Sequence, residues 1–152
     1  MLAVIALMVA LTSSHGTFLS RMLARAELEH LYSVCYYLQR KALMQHAPQR
    51  LSFDRQRNSY TACGKEYRLP KHVQFGTAPG VKGPPSSPSL LVTRPITFTG
   101  DHIMFHPDGI MQSGTIYLTD IHRSCSYALS CAVSPVSYLR KYQYTDAWHL
   151  IS

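Results

Sequence analysis

Residues 18–46, FLSRMLARAELEHLYSVCYYLQRKALMQH, decide the fold. Apolar or small residues recur at Leu19, Met22, Leu23, Ala26, Leu31, Val34, Cys35, Leu38 and Ala42. Polar residues recur between them at Arg21, Arg25, Glu29, Ser33 and Arg40. Spacings of three and four put each set on its own side of a helix. No proline interrupts the pattern before Pro48, which ends the helix near Ala47 or earlier. Upstream lies Met1–Leu11, MLAVIALMVAL, an uncharged apolar run. Gly16 is the weak point between the two parts, costing about 1 kcal/mol and marking a kink site. The expectation is one helix of some 45 residues, apolar all round in its first quarter and two-faced afterwards.

As a helix the apolar run spans about 17 Å, short of a hydrocarbon core of about 30 Å. It fits the h-region of a signal peptide, a buried core helix, or the visible end of a membrane helix. The first reading lacks a basic n-region, and Thr12-Ser13-Ser14-His15-Gly16 is a poor cleavage site. The unbroken helical pattern that follows favours the third.

After Pro48 the pattern changes to short runs rich in Val, Ile, Thr, Tyr and Phe between turn residues. Candidate strands are 50–53, 59–62, 67–69, 72–75, 96–98, 102–105, 114–119, 126–133 and 136–144. Pro107-Asp108-Gly109 is a turn in which Pro fixes φ, Asp bonds nearby backbone and Gly accepts positive φ. Residues 76–89, GTAPGVKGPPSSPS, read as a long exposed loop. The fold class is therefore α+β: a long N-terminal helix (1–47) followed by an antiparallel β-sheet or sandwich head (48–152).

The chain has 152 residues and a formal net charge of +7. An apolar fraction of 46% excludes a disordered chain, and four cysteines are too few for a disulfide scaffold. The positive charge is concentrated at Arg40, Lys41, Arg50, Arg55, Arg57, Lys65, Arg68 and Lys71, opposed there only by Asp54 and Glu66. Such a cluster is either a solvated face or a surface for polyanions.

The order of elements resembles type IV pilin-like proteins, most nearly the GspH/FimT group of minor pseudopilins. Four stretches carry the resemblance: LAVIALMVAL with FLSRMLARAELEHLYSVCYYLQRKALMQ for the helix, QRLSFD for the first strand, ITFTGDHIMFHPDGIMQSGTIYLTD for the central hairpin, and SYALSCAVSPVSYLRKY for the closing strand pair. The sequence departs from the family in two places. The leader, with its glycine, aromatic residue and glutamate, is not present before Met1, so the start is read as truncated or degenerate. The turn Ser134-Pro135-Val136-Ser137 lacks the usual glycine.

The resemblance implies a structural, non-enzymatic subunit of a type II secretion system or type IV pilus-like filament. Its head would lie in the periplasm and its helix in the bacterial inner membrane until assembly. Leu2, Val4, Ile5, Leu7, Val9 and Leu11 would form the membrane and assembly helix, packing on other pilins and pseudopilins. A prepilin peptidase would cut and methylate the chain if a leader lies upstream. FimT-like relatives add DNA uptake through basic residues near the C-terminus. Here Arg140 and Lys141 lie among Tyr138, Tyr142 and Tyr144, residue types that bind phosphates and stack bases. The alternative class is a secreted periplasmic β-domain binding protein.

No cofactor, metal or catalytic residue is expected. No P-loop, G-x-S-x-G, C-x-x-C or H-E-x-x-H occurs. His102 and His106 have helical metal spacing but sit in a strand-like run, about 13 Å apart if extended. Cys35, Cys63, Cys125 and Cys131 give no connectivity, and buried free thiols are the equal alternative to pairing.

Overall fold

The computed structural model describes residues 2–133 and 137–152, with side chains described at 15–132 and 137–152. One helix, α1 (Leu2–Gln45), precedes two antiparallel sheets. The side chains of Leu2, Val4, Ile5, Leu7, Val9 and Leu11 therefore lie outside the described residues, as does most of the turn Ser134–Ser137. The backbone stays helical through Gly16, whose added Cβ would meet nothing within 4 Å. Among the described residues no helix is long and apolar enough to cross a membrane.

α1 ends as its sequence requires. His46 takes a positive φ of 50°, and the Ala47 amide donates to the Ala42 carbonyl at 3.3 Å. This is a Schellman closure with a residue other than glycine at the left-handed position, and Pro48 forbids further helix.

The buried stripe of α1 is Ser20, Ala24, Glu27, Leu28, Leu31, Cys35, Leu38 and Ala42. This corrects the expected apolar face at its N-terminal end, where Leu19, Met22 and Ala26 are exposed. The stripe that wins alternates spacings of four and three, so it runs straight along the helix. It carries Ser20 and Glu27 because both find partners on the head, a feature that a hydrophobicity pattern does not report. Arg21, Arg25, Ser33 and Arg40 are exposed as expected.

The four-stranded sheet runs β3-β2-β1-β5, from β1 (Gln49–Asp54), β2 (Ser59–Ala62), β3 (Lys65–Arg68) and β5 (His102–Phe105). The five-stranded sheet runs β4-β6-β7-β8-β9, from β4 (Val73–Phe75), β6 (Gly114–Asp120), β7 (Ser126–Val133), β8 (Ser137–Tyr144) and β9 (Trp148–Ile151). α1 packs on both sheets. Leu28, Leu31 and Leu38 belong to one core with Leu51, Ile103, Ile116 and Leu129. The Phe53 and Phe75 rings meet edge to face at 5.8 Å, tying β1 to β4.

The turns follow from their residues. Cys63 and Gly64 both take positive φ, making the two-residue type I′ link between β2 and β3. In Pro107-Asp108-Gly109, the Gly109 amide donates to the His106 carbonyl at 3.0 Å, and Asp108 accepts from the Ile110 amide at 3.0 Å.

Three expectations need correction. Residues 96–98 are not a full strand. Ile96 makes a single bridge to Ile116, and a Thr97–Thr115 exchange carries the rest. β9 was not expected, because Thr145-Asp146-Ala147 has no glycine or proline; the Asp146 carboxylate makes the turn by accepting from the Ala147 amide and the Thr145 hydroxyl. The loop 76–89 is only partly exposed: Val81 and Gly83 are buried, and Lys82 bridges to Leu91.

Gly83 lies against the indole of Trp148, whose Nε1 donates to the Lys82 carbonyl at 2.7 Å. A Cβ at position 83 would collide with that ring. Gly83→Ala is expected to displace Trp148, shift its emission to the red and destabilise the fold by about 1–3 kcal/mol. An unshifted spectrum would contradict the close approach.

Candidate functional site

Two polar joints hold α1 on the head. At the first, Asp120 closes β6 and is fully buried. Its carboxylate accepts from the Ser124 amide at 2.6 Å, the Ser124 hydroxyl at 2.6 Å and the Cys125 amide at 3.1 Å. Ser20 of α1 reaches it at 3.1 Å. Burial alone would raise the Asp120 pKa, but the bonds from Ser124 and Cys125 outweigh it and hold the group below its ordinary value. On the surface above, Arg21 donates to the Ser124 hydroxyl at 3.2 Å.

The second joint is two helical turns on. The buried Tyr60 hydroxyl donates to Glu27 at 2.9 Å and lies 2.6 Å from His30 Nδ1. Burial raises the Glu27 pKa, and the Tyr60 and His30 contacts offset this only in part. Tyr60 also stacks on Tyr67 at 5.3 Å. His30 of the second joint also lines a cavity of about 220 Å³ with Tyr37, Cys63 and Tyr67, while both joints tie side chains of α1 to the head.

Arg140 and Lys141 are adjacent on β8 and therefore point to opposite faces of the sheet. Lys141 turns inward to α1, forming an ion pair with Glu29 at 2.7 Å and lying 4.8 Å from the centre of the Tyr32 ring. Only 13% of its side chain is exposed, so it is already committed to the helix. Arg140 turns outward and lies 4.5 Å from the centre of the Tyr138 ring. The structure thus does not bring the pair together as one cationic patch.

The basic residues of 40–71 are mostly engaged. Arg55 pairs with Asp101 at 3.2 Å, Arg57 with Asp54 at 3.8 Å and Arg68 with Glu66 at 3.9 Å. Arg40, Lys41 and Lys65 lie over Tyr36, Tyr37 and Tyr67. These are exposed pairs of small individual energy.

The helix also carries apolar groups that the head does not cover. Phe18 is 66%, Leu19 54% and Met22 55% exposed, immediately before and beside the point where burial begins. Tyr36, Tyr37, Leu43 and Met44 continue on the outer side near its C-terminal end.

The outer face of the five-stranded sheet holds a cleft of about 590 Å³ between the Pro84-Pro85 segment and the tyrosines of β8. Sequence reasoning missed it, because it depends on a loop folding over a sheet. The available signal was Ser130 and Ala132, small residues two apart on one face of β7, which leave the floor low.

All four cysteines are free, three buried and Cys63 exposed, with Lys41 Nζ 3.2 Å from its sulfur. Among the described residues no group of three or more His, Cys, Asp or Glu side chains is arranged to hold a metal. His102 Nδ1 instead lies 3.1 Å from the Gly100 carbonyl. No family model, curated protein or solved structure matches this chain.

Proposed function

We propose that the chain is a structural subunit of a pilin-like filament, of the minor pseudopilin kind that its sequence resembles. The observation carrying this reading is the continuity of α1. Its backbone is helical from Leu2 to Gln45, yet the described burial by the head begins only at Ser20. Phe18, Leu19 and Met22 are left bare at the junction. Such exposed apolar groups on a helix are suited to burial against neighbouring helices, each gaining roughly 25 cal/mol per Å² covered. The resemblance supplies the rest of the proposal: an inner-membrane origin, a periplasmic head, and a type II secretion or type IV pilus-like machine. Under this reading DNA contact would rest on Arg140 without Lys141.

The test uses full-length protein produced in a host carrying partner pseudopilins. Ile5→Asp is expected to abolish both membrane retention and incorporation into filaments. Phe18→Glu with Met22→Glu is expected to abolish incorporation while shifting the melting temperature of the head by no more than about 2 °C, since exposed positions move stability by about 0.5 kcal/mol. Normal incorporation of both variants would defeat the proposal.

A further inference from the structure

We propose that the cleft on the outer face of β6, β7 and β8 is a saccharide site, selective for sugars bearing a carboxylate. The site is independent of whether the chain assembles into a filament.

Strand register builds the cleft. Thr115 of β6, Ser130 of β7 and Arg140 of β8 lie side by side across the sheet, and Thr115 donates to Ser130 at 3.3 Å. Ala132 lies beside Tyr138, and Ala128 beside Tyr142. The row on β8 is therefore ring, guanidinium, ring, each step two residues or about 7 Å. The floor is small and bears hydroxyls. The far wall is Pro84-Pro85, an edge with no amide protons to offer.

Three features select the ligand. First, the polar side chains are almost all neutral hydroxyls, which both give and accept hydrogen bonds as sugar hydroxyls do. Second, the tyrosines present ring faces and edges to stack on the C–H face of a pyranose. Third, Arg140 is the only charged side chain lining the cleft among the described residues. It is braced by the Tyr138 ring, and a planar guanidinium takes a carboxylate through two parallel bonds. A volume of about 590 Å³ lies within the range of built ligand sites.

An independent observation points the same way. The Tyr117 hydroxyl is fully buried, and among the described residues the Thr115 side chain is the one group near enough to engage it, without forming a bond of good geometry. Tyr117 lines a smaller cavity of about 150 Å³ that shares Pro84 and Thr97 with the cleft. A ligand hydroxyl or an ordered water reaching behind Pro84 would give it a well-aligned partner.

A sheet face with aromatic rings also suits single-stranded nucleic acid, which needs a cation near each phosphate. The cleft offers one cation, and the neighbouring Lys141 faces α1 with Glu29 as its partner. One guanidinium matches one sugar carboxylate, and a floor lined by neutral hydroxyls favours the sugar.

Trp148 packs on Tyr117 at 5.6 Å, so its emission reports occupancy. The full chain is titrated with trigalacturonate, maltotriose and a thymidine trinucleotide, by Trp148 fluorescence and calorimetry. The expected result is trigalacturonate binding at least about tenfold tighter than maltotriose. Arg140→Gln should bring the two sugars to parity, Tyr142→Ala should weaken both, and Arg25→Gln should change neither. Ser86→Phe, on the exposed rim, should block both sugars with an unchanged melting temperature. Absence of binding by either sugar at millimolar concentration to folded protein would overturn the proposal. So would tighter binding of the trinucleotide lost in Arg140→Gln, which would assign the cleft to nucleic acid.

Discussion

Asp120→Ala is expected to melt about 6–12 °C below the parent at pH 7, a loss of about 3 kcal/mol. The size follows from what the substitution strands. The Ser124 and Cys125 amides and the Ser124 hydroxyl all point at the Asp120 carboxylate, and alanine leaves them without an acceptor. Hydrogen bonds to an ionised acceptor contribute about 1.5–3 kcal/mol each when lost singly, and a shared acceptor makes the total less than the sum. Ser20 contributes less. Its single hydroxyl proton is contested between Asp120 at 3.1 Å and the Thr17 carbonyl at 2.9 Å, so Ser20→Ala should cost about 1 kcal/mol. The pH dependence gives the sharper check. Because the folded pKa of Asp120 is held below the ordinary value, its stabilisation is fully present above about pH 4 and is lost as pH falls through the folded value. The gap between parent and variant should therefore narrow in acid. A gap that does not narrow as pH falls below about 4 would mean that Asp120 acts through packing and not through its charge.

Asp120 also shows what sequence can and cannot disclose. The helix was legible from spacing, its end from Pro48, and the β2, β7 and Pro-Asp-Gly segments from composition and turn chemistry, because each is local. The rotation of the helix was not. Leu19, Met22 and Ala26 fit an apolar pattern as well as the true stripe does, and the choice is made by Asp120, 100 residues away from Ser20. Glu27 in sequence looks like one more solvated charge, since Tyr60 appears beside it only after β2 folds onto α1. That Arg140 and Lys141 lie on opposite faces follows from a rule that was available: adjacent residues on a strand face opposite ways. That rule applies only once the segment is known to be a strand with both faces used. β9 and the cleft lay further out of reach, because both depend on where a loop and a chain end come to rest.

Tyr60→Phe is the second large effect, expected to cost about 2 kcal/mol at pH 7 and distinctly less at pH 4. The ring itself is kept, with its stacking on Tyr67, so the loss isolates one hydroxyl. At neutral pH that hydroxyl is the short donor to a carboxylate that burial disfavours. Without it, Glu27 keeps only the longer contact to His30, 3.7 Å away. The sign is opposite to that at Asp120. The folded pKa of Glu27 is raised, so its contribution to stability is greatest below the unfolded pKa and is lost as pH rises through the folded value. Removing the hydroxyl raises that pKa further, so the deficit grows with pH. Glu27→Gln should cancel most of the pH dependence, since it leaves no group there to ionise. An equal deficit at pH 4 and pH 7 would show that the hydroxyl is not bonded to the carboxylate. The two joints act in opposition with pH: acid weakens the one near Ser20 and strengthens the one at Glu27. A helix under tension would pass force to the head through both, and between about pH 4 and pH 7 only the Glu27 joint changes, so attachment of the helix should weaken as pH rises across that range and weaken again in acid below it.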